Sequence, residues 1–268
     1  MGCGRNLILS DFDLVPPISH ISPPRTNRTV SLTHMRKSKS LFAGLIVALA
    51  LATQGFAQTA PNTLTAEEKA AGWKLLFDGK TTAGWRAYGA DSMPSGWQIV
   101  DGVFTRVSRA ADIITKDQYG DFELILDWKL EPRGNSGLFY RAIEGLEWIY
   151  HGAPEYALLD DAGHNDGKNP LTSAGSVHSV YAPPRGVVKP AGEWNTTRLV
   201  ARGTHIEHWL NGQKVVEYEQ GSPDWAKRVA ASKFAVWPKY GKAMKGHIGL
   251  QEHGGRAEFR NIKIRELK

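Results

Sequence analysis

Cysteine is almost missing from this chain: Cys3 is the only one among 268 residues. From residue 4 onward no disulfide, thiolate metal site or cysteine nucleophile can form, so the fold must rest on its own core. No cysteine follows the apolar run Leu41 to Ala52, where acylation of a lipoprotein would need one, and no lipid anchor is expected. That run is about a dozen residues, short of the roughly 20 that cross a bilayer. An excess of basic charge is missing too, once the chain is divided. The formal charge of +6 falls away because residues 1–57 hold six of the 33 Lys and Arg and only two of the 27 Asp and Glu, which leaves 27 against 25. Without a basic block to neutralise a phosphate backbone, a nucleic-acid partner finds no support. Absent as well are a G-x-S-x-G serine motif, a phosphate loop, a dinucleotide fingerprint and any internal repeat.

What is present begins with a leader. Met35 opens a basic stretch, Arg36, Lys37 and Lys39, followed by the apolar run and by Gly55-Phe56-Ala57, with small residues where leader peptidase reads. This pattern predicts a signal peptide over residues 35–57, cleavage after Ala57 and a periplasmic or extracellular protein. Residues 1–34, rich in Pro, Ser and Thr, are read as a disordered extension or as lying upstream of the true start. The remaining 58–268 suffice for one domain with a full core.

Within that domain, short segments of two-residue alternation outnumber anything of helical period, which predicts an all-β sandwich. Trp97–Val100 and Val103–Arg106 flank Asp101-Gly102, and His205–Glu219 folds back at Asn211-Gly212; both dipeptides accept the positive φ of tight hairpins. Asp121–Leu130 sets Phe122, Leu124, Leu126, Trp128 and Leu130 on one face. Further strands are expected at 137–141, 155–160, 194–201, 247–253 and 257–264. Two short helices are expected, one behind a capping box at Thr65 and Glu68, the other starting at Ser222-Pro223. The polar stretch Asp161–Ser176 is too long for a simple turn and reads as a functional loop.

Nine tryptophans and eight tyrosines are many for this length, and sugar rings stack on exposed aromatic faces. Trp148, Tyr150 and Trp237 lie beside polar residues and are the candidates for a cleft; the others fill the core. The densest polar cluster runs from Gly134 to His178. Period two in a strand over 155–161 places Glu155, Ala157, Leu159 and Asp161 on one face, and Tyr156, Leu158 and Asp160 on the other. A buried Glu155 needs a cation, and Arg141 on a neighbouring strand is the expected partner, either as a plain ion pair or at the floor of a groove. His164, Asp166 and Lys168 form the following loop, as a site or as ordinary solvated surface. His178 and His253 carry the same two readings, with Gln251 at strand spacing from His253. Sandwich glucanases carry E-x-D-x-E or E-x-D-x-x-E on one strand; here Ala157 stands where the second carboxylate would be. Metal ligation by Asp160, Asp161, His164 and Asp166 fits by residue type but by no standard spacing.

These residues resemble the 3-keto-disaccharide hydrolases, also described as 3-keto-glucoside lyase/hydratases. The likeness runs from GWKLLFDGK (72–80) to FRNIKIR (259–265) through GNSGLFYR (134–141), PEYALLDD (154–161), AGEWN (191–195), HWLNGQKVVEYE (208–219) and GHIGLQEHG (246–254). The resemblance implies a concanavalin-like jelly-roll sandwich of two antiparallel sheets, and substrates whose glucose unit is oxidised at C3. A C3 ketone acidifies the C2 hydrogen, so a base can remove it and expel the C1 substituent; water then adds back. By position, Glu155 or Asp160 would be the base, Arg141 or a bound divalent cation the enolate stabiliser, and His164 or His253 the acid. Trp148, Tyr150, Asp161, Lys168, His178, Gln251 and Trp237 would bind the oligosaccharide or glycoside substrate. This chain departs from the family pattern at Ala157, where Gln is usual, and at Ser176–Tyr181. A non-catalytic carbohydrate-binding module on the same sandwich is the alternative reading.

Overall fold

A computed structural model describes residues 60–268; the leader, its cleavage point and residues 1–34 lie outside the described residues. In chain order the strands are β1 (Lys74–Leu75), β2 (Trp85–Ala87), β3 (Trp97–Val100), β4 (Val103–Arg106), β5 (Ile113–Thr115), β6 (Phe122–Leu130), β7 (Asn135–Ala142), β8 (Glu155–Leu159), β9 (Asn195–Arg202), β10 (His205–Leu210), β11 (Gln213–Glu219), β12 (His247–Leu250) and β13 (Ala257–Glu266). They build two sheets. The larger runs β11-β10-β9-β6-β13-β4-β3, with β1 also on β13; the smaller runs β2-β5-β12-β7-β8. Each pairing is antiparallel.

Both hairpins form where the sequence places them. Asp101 and Gly102 take φ of 51° and 75°, and Asn211 and Gly212 take 49° and 84°, the left-handed values that match the twist of the flanking strands. Helix α1 (Ala66–Ala70) carries the expected capping box, with the Thr65 hydroxyl accepting from Glu68 N–H and the Glu68 carboxylate accepting from Thr65 N–H. Helix α2 (Pro223–Ala230) is capped by Ser222. Strands β1, β2 and β5 were not expected, because two or three residues are too few to show a period.

Phe122, Leu124, Leu126, Trp128 and Leu130 of β6 are all buried and pack, between the sheets, against Leu138, Tyr140, Tyr156 and Leu158 of the smaller sheet. Each such side chain contributes about 1.5–3 kcal/mol on leaving water. Strand alternation therefore turns Phe139 of β7 and Glu155 of β8, which are direct cross-strand partners, to the opposite face of the smaller sheet. A separate small cluster forms there, of Ile114, Phe139, Ala142, Ile149 and Ala153.

Candidate active site

That outer face carries a cleft. Around Glu155 lies a cavity of about 310 Å³, at the low end of the roughly 300–1,000 Å³ usual for small-molecule sites. Its residues come from six separate pieces of chain. Strand β8 supplies Glu155 and β7 supplies Asn135. Just past β12, alternation carries Gln251 and then His253 to the same face as Gly249. The Asp161–Ser176 loop delivers Asp166 and then docks along the free edge of β8: Ala157 N–H donates to Ser176 O at 3.1 Å and His178 N–H to Glu155 O at 3.0 Å. This edge pairing sets His178 beside Glu155. Past α2, a 3₁₀ turn over Lys233–Val236 contributes Lys233 and leads into Trp237.

Glu155 is 5% exposed, and its carboxylate makes no hydrogen bond to another described residue. Burial pushes its pKa up to about 8; the positive charge of Lys233 opposes the shift, and Asp112 and Asp166 add to it. Room for the carboxylate comes from Gly137 on β7, where a Cβ would sit 2.7 Å from Glu155 Oε1. Lys233 Nζ lies 2.9 Å from His178 Nε2. Burial, and then the charge of Lys233, lower the His178 pKa to about 4, so this imidazole is neutral near pH 7 and accepts a hydrogen bond from Lys233 Nζ–H. Aromatic rings wall the cleft: Trp237 stacks on His151 with centroids 4.2 Å apart, Tyr150 meets Trp237 edge-on at 5.5 Å, and Trp148 lies parallel to Tyr150 at 6.3 Å.

Of the residues singled out in the sequence, Glu155, His253, Tyr150, His178, Gln251 and Trp237 line this cavity, and Trp148 lines its neighbour. The expected Arg141–Glu155 pair does not form. Two residues of β7, Tyr140 and Arg141, face one residue of β12 between the pairs Phe139–Gly249 and Ala142–His247. Arg141 takes φ 52° in this bulge, and its side chain turns away from the face that strict alternation would give it. It is fully buried and donates to Gly120 O, Gly203 O at 2.8 Å and Gln220 Oε1 at 3.1 Å, tying three loops together.

The other four candidates bond within their own loop or, for Asp160, also to the β6–β7 turn. Asp160 accepts from Arg133 N–H at 2.7 Å and from Gly163 N–H at 3.2 Å. Asp161 accepts from Ala174 N–H at 2.8 Å. His164 Nδ1 accepts from Asp166 N–H at 3.1 Å, and exposed Lys168 reaches Asn165 Oδ1 at 3.3 Å. Short polar side chains in loops bond nearby backbone readily, and here that is their use. Lys233 and Asn135 escaped the sequence reading: Lys233 follows an ordinary capping serine, and Asn135 lies in the Gly-rich approach to a strand. Among the described residues, the trio of ligating side chains whose atoms fall within 4.8 Å is His205, Glu207 and Glu217, on the larger sheet. Lys214 Nζ already sits 2.6 Å from Glu217 and 3.4 Å from Glu207, where it supplies the positive charge.

The described residues thus form a two-sheet jelly-roll sandwich with a buried carboxylate, unpaired among them, in a cleft walled by aromatic rings. Comparison with known proteins narrows this. Residues 72–265 match the 3-keto-alpha-glucoside-1,2-lyase-like domain, and the chain belongs to that family. A 3-keto-disaccharide hydrolase from Bacteroides thetaiotaomicron is 36% identical over 229 residues, which are 73% of this chain and 79% of that protein. Two candidate glycosyl hydrolases from Parabacteroides distasonis share the fold. One is 36% identical with a TM-score of 0.73, over 78% of this chain and all of that one. The other is 34% identical with a TM-score of 0.58, over 73% and 99%.

Proposed function

We propose that the protein is an exported enzyme that cleaves 3-keto-glycosides by β-elimination followed by hydration, with Glu155 as the base. The observation that carries this reading is the Glu155 carboxylate, buried beside aromatic rings with no hydrogen-bond partner among the described residues, where burial pushes its pKa up to about 8. A carbon acid next to a ketone calls for a stronger base than an exposed carboxylate, and burial supplies one. The 3-keto-disaccharide hydrolase relative supports the substrate class.

In this reading Glu155 takes the C2 proton. The C–H electron pair becomes the C1–C2 double bond, and the C1–O bond breaks. Negative charge gathers on the C3 oxygen, where Lys233 is a cation lining the cleft, in the role that the sequence reading gives to Arg141 or a bound divalent cation. His253 protonates the departing oxygen. Water then adds across the double bond, its hydroxyl to C1 and a proton to C2, and the net change is hydrolysis. The test is turnover of a 3-keto disaccharide in D2O, with and without a chelator. Deuterium at C2 of the product is the expected result. Complete retention of the C2 hydrogen would exclude elimination, and a rate lost to the chelator would bring in a metal.

A further inference from the structure

The cleft holds a carboxylate and a cation that do not meet. Glu155 and Lys233 both line the cavity of about 310 Å³, yet no ion pair joins them among the described residues. Lysine carries three donor hydrogens on a flexible four-carbon stem, so an ammonium this close to a buried carboxylate is drawn to swing onto it. Instead, Lys233 Nζ lies 2.9 Å from His178 Nε2 and 5.2 Å from the centre of the Phe234 ring. The ammonium donates, Nε2 accepts with its lone pair, and the proton of the neutral ring sits on Nδ1. His178 is in turn fixed through its backbone. Its N–H donates to Glu155 O at 3.0 Å, Ser179 N–H donates to Leu171 O at 2.7 Å, and Val177 bridges to Tyr156 and Tyr181. Ser179 takes φ 61°, a left-handed value that a non-glycine residue keeps only where its surroundings impose it. The imidazole stands at 66° to the ring of Phe234, with centroids 6.4 Å apart. The segment that pairs with the backbone of Glu155 thus also sets the acceptor that holds Lys233.

We propose that His178 is a positioning residue: its imidazole holds the Lys233 ammonium off Glu155, which leaves the carboxylate unpaired and the ammonium aimed at the substrate. The proposal rests on the reading of Glu155 as the base and Lys233 as the cation for the C3 oxygen. An ion pair with Lys233 would stabilise the charged carboxylate, draw its pKa back toward the ordinary range and make it a weaker base. It would also take the cation away from the oxygen on which charge develops. Asp112 and Asp166 act on Glu155 with like charge, and Asp166 and His253 act on His178 beside Lys233. Asp166 is therefore the rival acceptor for a released ammonium, and pairing there would not make Glu155 easier to ionise than Lys233 already does.

The test follows kcat/KM against pH for a 3-keto disaccharide in wild type, H178F, H178Q and the double variant H178F/K233M. Phe keeps a ring beside Phe234 but offers no lone pair, whereas Gln keeps an acceptor oxygen. In wild type the rate rises as Glu155 ionises, around pH 8. H178F should move that rise down by about one pH unit or more as Lys233 pairs with Glu155, and lower the plateau about tenfold or more as the cation leaves the C3 oxygen. H178Q should bring the midpoint back toward that of wild type. H178F/K233M, with no ammonium left to swing, should return it to the wild-type value or above. An H178F midpoint that stays or rises, equal losses in H178F and H178Q, or a downward shift that persists without Lys233 would each overturn the proposal. If H178F does not fold, H178A replaces it under the same criteria. Should wild type turn over no 3-keto sugar, the reaction reading fails by itself. A carbon NMR titration of Glu155, its resonance assigned by its loss in E155Q, then decides the holding role alone: a lower midpoint in H178F than in wild type upholds it, and an equal or higher one overturns it.

Discussion

Arg141 and Glu155 lie on neighbouring strands of the smaller sheet, both buried, yet they have opposite surroundings. Arg141 spends its guanidinium on Gly120 O, Gly203 O and Gln220 Oε1, so removing it leaves acceptors orphaned. Glu155 spends its carboxylate on no other described residue and faces a cavity. A buried charge that is fully satisfied stabilises a fold, whereas one left unsatisfied costs stability and is free to do chemistry.

The largest effect that could break this contrast is on turnover. Replacing Glu155 with Gln should lower kcat on a 3-keto disaccharide by about 10²–10⁴-fold, with a melting temperature equal to or above that of wild type. Turnover at the wild-type level would remove Glu155 from the reaction. R141M should do the reverse, costing about 3–5 kcal/mol, a fall of roughly 10 °C or more in Tm, with turnover per folded molecule retained. Equal damage to turnover and stability in both variants would erase the distinction.

Gly137→Ala tests whether the pose of Glu155 matters. A Cβ 2.7 Å from Oε1 must push the carboxylate aside, and a displacement approaching 1 Å can cost about 10²-fold; the expected loss is in kcat, with the fold intact by circular dichroism. Protonation gives a further handle. With its pKa raised from 4.5 to about 8, Glu155 binds its proton more tightly folded than unfolded. Its contribution to stability is therefore present below about pH 4.5 and lost as pH climbs through 8, while kcat/KM should rise over the upper part of that range as the base ionises. E155Q should flatten both profiles, and a wild-type rate that falls through pH 8 would point to Glu155 as an acid instead. The smallest effect is expected at Asp160: D160N weakens two bonds to backbone N–H groups and should cost about 1–2 kcal/mol in denaturant melts without a selective loss of turnover.

Local pattern alone determined the sandwich, both hairpins, both helix starts and the buried face of β6, because alternation, positive-φ dipeptides and capping residues act within a few positions of themselves. It also placed Glu155, His178, Gln251, His253 and the aromatics Trp148, Tyr150 and Trp237 in or beside a cleft, since each is an unusual residue for its position. What alternation could not show was the one-residue bulge at Tyr140-Arg141, which depends on the partner strand β12 lying more than a hundred residues away and reverses the side on which Arg141 emerges. Nor could it show that Asp161 and His164 bond within their own loop, and Asp160 there and to the β6–β7 turn, while Lys233 arrives from behind α2. Which strand edge a loop docks on, and which side chain then faces the cavity, is decided by long-range packing, and only the tertiary structure contains it.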